Sequence, residues 1–142
     1  MIKYKANILL PNSELQIMQI IWTMAKENGN NYEIITAGAM LEHSPEVIGH
    51  LKLTTILTLI TRLVAKGCIR AEKTGRAYYY IPLISETEYK QSAAADFVTT
   101  VYNNDTKGLI SALLGDTRLS EKDIDDLRKM IAGVNNDDSD NH

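Results

Sequence analysis

The stretch KLTTILTLITRLVAKG, residues 52–67, decides how the rest of the chain is read. Ile56, Leu59, Ile60 and Leu63 recur at i, i+3, i+4 and i+7, the spacing of one face of an α-helix, while Thr54, Thr55, Thr58, Thr61 and Arg62 fall on the other. Lys66 and Gly67 are residues on which such a helix ends. Threonine is a mediocre helix former, and a face kept merely soluble would be written in Glu, Lys and Gln. Something other than helix stability selected that face.

Upstream, NSELQ (12–16) has the form of a capping box with Ser13 as its cap, and apolar residues follow at Leu15, Met18, Trp22 and Ala25, which predicts a helix over 13–26. NGNN (28–31) is a loop by its chemistry, and residues 33–42 read as a second helix carrying Ile34, Ile35, Ala39 and Leu41. HSPEVIGH (43–50) has start signals followed so soon by Gly49 that only a short turn is expected, within a connector over 44–50. Downstream, CIRAEK (68–73) and RAYYYI (76–81) flank Thr74-Gly75, a hairpin signal that Pro82 closes. SETE (85–88) is a second capping box, opening a helix to about residue 103, and 106–114 reads as another helix. LSEKDI (119–124) pairs a third capping signal with a hydrophobic staple and opens a helix to Ile131.

The chain has 142 residues, enough for one domain or a small domain with an accessory segment. A hydrophobic share of 44%, with 8 Gly and 3 Pro, excludes a collagenous, low-complexity or generally disordered chain. A single cysteine, Cys68, excludes an internal disulfide and a Cys-rich metal site. MIKYKANILL (1–10) has too short an apolar run for a signal peptide, and no run approaches the roughly 18 apolar residues of a membrane span. A soluble, cytoplasmic protein with no direct membrane binding is expected. The net charge of −3 divides unevenly: residues 1–85 hold nine Lys/Arg and six Asp/Glu, whereas 86–142 hold six and twelve. The first part can approach phosphate; the second would be repelled by it.

Three helices and then a two-stranded hairpin, the third helix polar and basic on its free face, is the order of a winged helix-turn-helix, and the fold class expected is mainly α with a small α+β wing. Its chemistry is DNA recognition: threonine hydroxyls reach base edges or phosphate, threonine methyls meet thymine methyls, and arginine pairs with guanine or phosphate. The candidate DNA-binding residues are Lys52, Thr54, Thr55, Leu57, Thr58, Thr61 and Arg62, with Lys73 and Arg76 at the hairpin. Arg62 has no carboxylate at i±4 to hold it. Lys73 and Arg76 are equally readable as turn solubility, and Tyr78, Tyr79 and Tyr80 as core or rim packing rather than base stacking. The domains expected are a winged helix over 1–82, a helical dimerisation segment over 83–134 and a disordered acidic tail over 135–142. Phe97, Val101, Leu109, Ile110, Leu113, Leu114, Ile124, Leu127 and Ile131 are too many apolar residues for three helices on a small domain, so a second protomer is the simplest cover.

SELQIMQIIW (13–22), TTILTLITRLVAKG (54–67), the Tyr78-x-Tyr80-x-Pro82 ending and LSEKDIDDL (119–127) resemble the penicillinase and methicillin-resistance repressor family (BlaI/MecI/CopY), in unbroken order over residues 10–132. The resemblance implies a homodimer bound to a near-palindromic operator in double-stranded DNA, with the contacting helix falling on Thr54, Thr55, Leu57, Thr58 and Arg62. Some members have a basic residue where Leu57 stands, and residues 42–50 make a longer stretch than in relatives. Copper-responsive members carry a C-terminal cysteine cluster that is missing here. In the best-known members a membrane sensor protease inactivates the repressor by cutting in the C-terminal segment, which falls near Ser111-Ala112-Leu113; Ala112-Leu113 replaces the Asn-Phe bond of those relatives.

No Gly-rich phosphate loop, His-Glu metal motif or nucleophile elbow is present, so no enzyme is expected. His43, His50 and Cys68 lack the close spacing of metal ligands, and neither a metal nor another cofactor is expected. The rival reading is an adaptor that uses a winged helix only to bind protein.

Overall fold

The computed structural model describes residues 9–115 and 119–140, with side chains through residue 134. The elements run α1 (Asn12–Glu27), a 3₁₀ turn (Tyr32–Ile34), α2 (Ala37–His43), α3 (Pro45–Ile48), α4 (Leu53–Ala65), β1 (Ile69–Thr74), β2 (Ala77–Pro82), α5 (Glu86–Thr100), α6 (Thr106–Gly115) and α7 (Glu121–Asp140). This is a mainly α winged helix followed by further helices. The chain forms two compact units, one through Asp96 and one from Phe97 onward.

The core of the first unit is built on α1 and α4. Ile17, Met18 and Ile21 on α1 and Ile56, Leu59, Ile60 and Leu63 on α4 are buried, joined by Ile35, Met40, Ile48, Ile69 and Tyr80. The inner face of α4 is the one its periodicity predicts. Its end is a full Schellman motif: Cys68 N–H donates to the Leu63 carbonyl and Gly67 N–H to that of Val64, both at 3.0 Å, with Gly67 at φ +78°. β1 and β2 pair antiparallel from Ile69↔Pro82 to Thr74↔Ala77. The two-residue loop is therefore Gly75-Arg76, one residue later than the sequence signal, with Gly75 at φ +61° where a type II′ turn takes glycine.

Two local readings need correction. α1 begins at Asn12 behind Pro11, Leu15 N–H bonding the Pro11 carbonyl at 2.9 Å, so Ser13 sits inside the helix and no side chain caps it. Glu14 is buried and accepts from Lys66 Nζ at the end of α4. The helix expected over 33–42 is a 3₁₀ turn and a shorter α2 whose cap is Thr36, its Oγ1 accepting from Ala39 N–H at 3.1 Å. Between them the carbonyl of Ile35 accepts from Tyr80 N–H at 3.0 Å along the open edge of β2, a bond incompatible with helix at that residue. The connector over 44–50 holds a single turn of helix, α3, in keeping with its start signals and early Gly49.

The first unit does not stop at Pro82. Trp22 Nε1 donates to the Ile84 carbonyl at 2.9 Å, Leu10 N–H donates to the Tyr89 hydroxyl at 3.0 Å, and the Trp22 and Tyr89 rings lie 5.7 Å apart. Ile84 and Tyr89 belong to the core. The Ser85 capping box forms as read, with Glu88 N–H to Ser85 Oγ at 3.0 Å and Ser85 N–H to Glu88 Oε1 at 3.2 Å.

In the second unit α5 ends at Thr100, earlier than read, because Asn103 and Asn104 take left-handed backbone angles. Asp105 caps α6 through Gly108 N–H at 3.0 Å, and Ser120 and Asp123 exchange the two bonds of the third capping box. α7 continues to Asp140, past the point where the tail was expected to be disordered.

Burial pushes the Cys68 thiol up to about 11 from 9.0, against a smaller pull from Lys66. The folded chain holds the proton more tightly than the unfolded one, so the contribution is whole below about pH 9 and is lost as pH rises to about 11. Urea titrations of the native chain should show a decline over that window that is shallower in Cys68→Ala. Equal slopes would remove Cys68 as the cause.

Candidate nucleic-acid interface

Seven of the nine candidate residues lie on α4 or at its cap. Lys52 is the N-cap, and Thr54, Thr55, Leu57, Thr58, Thr61 and Arg62 follow on the helix, all exposed. The reason is the same as for the core: with Ile56, Leu59, Ile60 and Leu63 turned inward, a 3.6-residue period leaves these outward. Lys73, near the end of β1, and Arg76, in the turn, are exposed at the hairpin. No acidic residue occurs on α4, and Lys52, Arg62, Lys73 and Arg76 form no ion pair with any described residue.

The threonines are not equivalent. Thr58 Oγ1 donates to the Thr54 carbonyl and Thr61 Oγ1 to the Leu57 carbonyl, each at 2.9 Å, one turn back along α4. Lys73 Nζ sits 5.7 Å from the centre of the Tyr78 ring across the hairpin. Tyr78 is exposed, Tyr79 half-buried and Tyr80 in the core, so the three tyrosines serve the hairpin's own packing more than an open stacking platform.

Three residues at this surface escaped the sequence reading. Leu53 is exposed in the first turn of α4, although its spacing from Ile56 and Ile60 would place it inside; Arg70 is exposed and paired with Glu72 at 2.8 Å; and Tyr78 lies beneath Lys73. Only Arg70 carried a signal, since alternation sets it opposite the buried Ile69; Tyr78 shares the face of the buried Tyr80 by the same period and is exposed all the same.

The candidate dimerisation residues all fall in the second unit. Phe97, Val101, Ile110, Leu113, Leu114, Leu127 and Ile131 are exposed, while Leu109 and Ile124 are half-buried. Met130 and Val134, also exposed, extend the set: Leu127, Met130, Ile131 and Val134 form an i, i+3, i+4, i+7 stripe on α7. Ala112 and Leu113 lie within α6 and are exposed. Among the described residues no group of three or more His, Cys, Asp or Glu side chains could hold a metal ion, and no helix is long and apolar enough to cross a membrane.

Three helices around one core, an antiparallel hairpin, and a helix carrying its basic and hydroxyl side chains outward define a winged-helix protein. The family model for the penicillinase repressor matches residues 10–133, and the chain belongs to that family of transcriptional repressors. It is 27% identical over 128 residues to the penicillinase repressor of Bacillus licheniformis, covering 86% of this chain and 88% of the relative. It is 29% identical over 122 residues to the methicillin resistance regulatory protein MecI of Staphylococcus aureus (strain N315), covering 86% and 92%. With the penicillinase repressor of Staphylococcus aureus the identity is 30% over 122 residues, covering 86% and 90%.

Proposed function

We propose that this repressor works as a homodimer that sets α4 of each protomer into the major groove of a near-palindromic operator and leaves it on an inducing signal. The observation that carries the DNA reading is the outer face of α4, acid-free, lined with threonines, and ending in an Arg62 that pairs with no described residue. A helix of this kind fits the major groove, where arginine can fork onto guanine or pair with phosphate. Lys73 and Arg76 would meet the backbone beside it. The dimer reading is supported by the apolar side chains of the second unit that a single chain leaves in water.

Selection from a random duplex library should return a two-fold-symmetric sequence with half-site centres about one helical turn, or a small multiple of it, apart. Thr55→Ala and Thr58→Ala should relax base preference. Arg62→Ala should weaken binding by about 1 to 3 kcal/mol, roughly five- to 150-fold. Affinity should also fall with salt by roughly 0.9 log unit per log unit of salt for each phosphate neutralised. Unchanged affinity and selectivity in all three variants would take α4 out of the interface and leave the adaptor reading.

The proposed release step is proteolysis between Ala112 and Leu113 by a membrane sensor protease, supported by the resemblance and by the exposure of both residues. A protease must draw its substrate into extended form, so α6 would have to open locally first. Mass spectrometry of the protein from induced cells should find a fragment ending at Ala112. Full-length chain throughout derepression would exclude cleavage as the switch.

A further inference from the structure

The outward stripe of α4 is chemically one-sided. Thr54, Leu57, Thr58 and Thr61 stand at i, i+3, i+4 and i+7, all exposed, and Leu53 extends the stripe one turn back from Leu57. Each threonine hydroxyl has a single proton, and those of Thr58 and Thr61 are already donated to carbonyls of their own helix. What remains on these two oxygens can only accept. In the major groove the donors are the N6 amino group of adenine and the N4 amino group of cytosine, whereas the edges of guanine and thymine offer acceptors. Leu53 and Leu57 are 51% and 40% exposed, with Lys52 and Arg62 as the cations nearest them on α4. The one apolar group that a major groove presents is the C5 methyl of thymine.

The geometry points to a half-site whose central steps are read as A·T pairs, Leu57 packing on a thymine methyl and Thr58 accepting from the N6 amino group of an adenine, with guanine left to Arg62. An A·T pair supplies both groups, and no G·C pair supplies a methyl. This specificity rests on α4 being the groove-reading helix, and it assigns to Leu57 a base contact of its own.

The test uses the full chain and the best duplex recovered from the random library, with thymines replaced one at a time by deoxyuridine, which removes the methyl and nothing else. Affinity should fall about three- to fivefold, the worth of one buried methyl, at one or two positions in each half-site. Leu57→Ala, checked for an unchanged melting temperature, should bind the parent duplex more weakly and be indifferent to those same replacements. Purine in place of the adenine read by Thr58 should weaken binding to the native chain and leave Thr58→Val unaffected. Indifference to deoxyuridine at every position overturns the inference while leaving operator binding intact. Losses that persist at full size in Leu57→Ala overturn the assignment to Leu57. A library that returns no preferred sequence overturns the operator reading and this one with it.

Discussion

A chain ending at Asp96 should fold, sediment as a monomer, and bind the operator at least about a hundredfold more weakly than the full chain. The loss would come from the second half-site: two linked binding surfaces gain affinity because the second event is intramolecular, and removing the residues that join the protomers removes that gain without touching α4. The cut at Asp96 matters. Ending the chain at Pro82, the boundary that the sequence alone recommends, would strip Ile84 and Tyr89 from the core, leave Trp22 Nε1 and Leu10 N–H without their partners, and unfold the surface under test. Thermal melts of the two truncated chains should separate these effects, with a native-like transition for the longer and a lost or much lowered one for the shorter. A chain ending at Asp96 that dimerises with full affinity would place the dimer contacts in the first unit.

Trp22→Ala should destabilise the first unit by about 3 to 5 kcal/mol, enough to abolish most of the stability of a typical domain and operator binding with it. Two terms add. The indole ring is buried against Tyr89, at 5.7 Å, and its removal leaves a cavity under α5. Its N–H is also the partner of the Ile84 carbonyl, which the substitution leaves unpaired. Trp22→Phe keeps a six-membered aromatic ring and loses the hydrogen bond with the remaining indole volume, a smaller loss than the whole side chain, so denaturant midpoints should rank native, Phe, Ala in that order. A melting temperature for Trp22→Ala within a few degrees of native would show that α5 does not depend on this side chain.

Both experiments probe how far the first unit reaches past Pro82, and that boundary is where the sequence was least legible. Elements specified by contacts within a few residues were read correctly: the inner face of α4, its termination at Lys66-Gly67, and the capping boxes at Ser85 and Ser120. Each depends on a side chain meeting its own helix, so spacing alone specifies it. The exposure of the candidate residues on α4 was legible for the same reason, since knowing which face of α4 is buried leaves the other one open.

The misread places are those where a distant partner outweighs local preference. The 33–42 stretch has helical composition, but the bond between Tyr80 N–H and the Ile35 carbonyl, 45 positions apart in the chain, holds Ile35 out of helical backbone at φ −88°, ψ 80° and leaves Thr36 as the cap of the helix. Ser13 reads as a cap, yet it sits inside α1, and its neighbour Glu14 is buried with its carboxylate accepting from Lys66, 52 residues away. The reach of the first unit past Pro82 depends on Trp22 meeting Ile84 and on Leu10 meeting Tyr89, pairings that no local pattern encodes. Period and capping thus determined from sequence which segments are helix, which are hairpin, and which face of α4 is free. The three-dimensional packing decided where the first helix starts and where the first compact unit ends, because those outcomes are set by burial and hydrogen-bond competition resolved only once the chain has closed on itself.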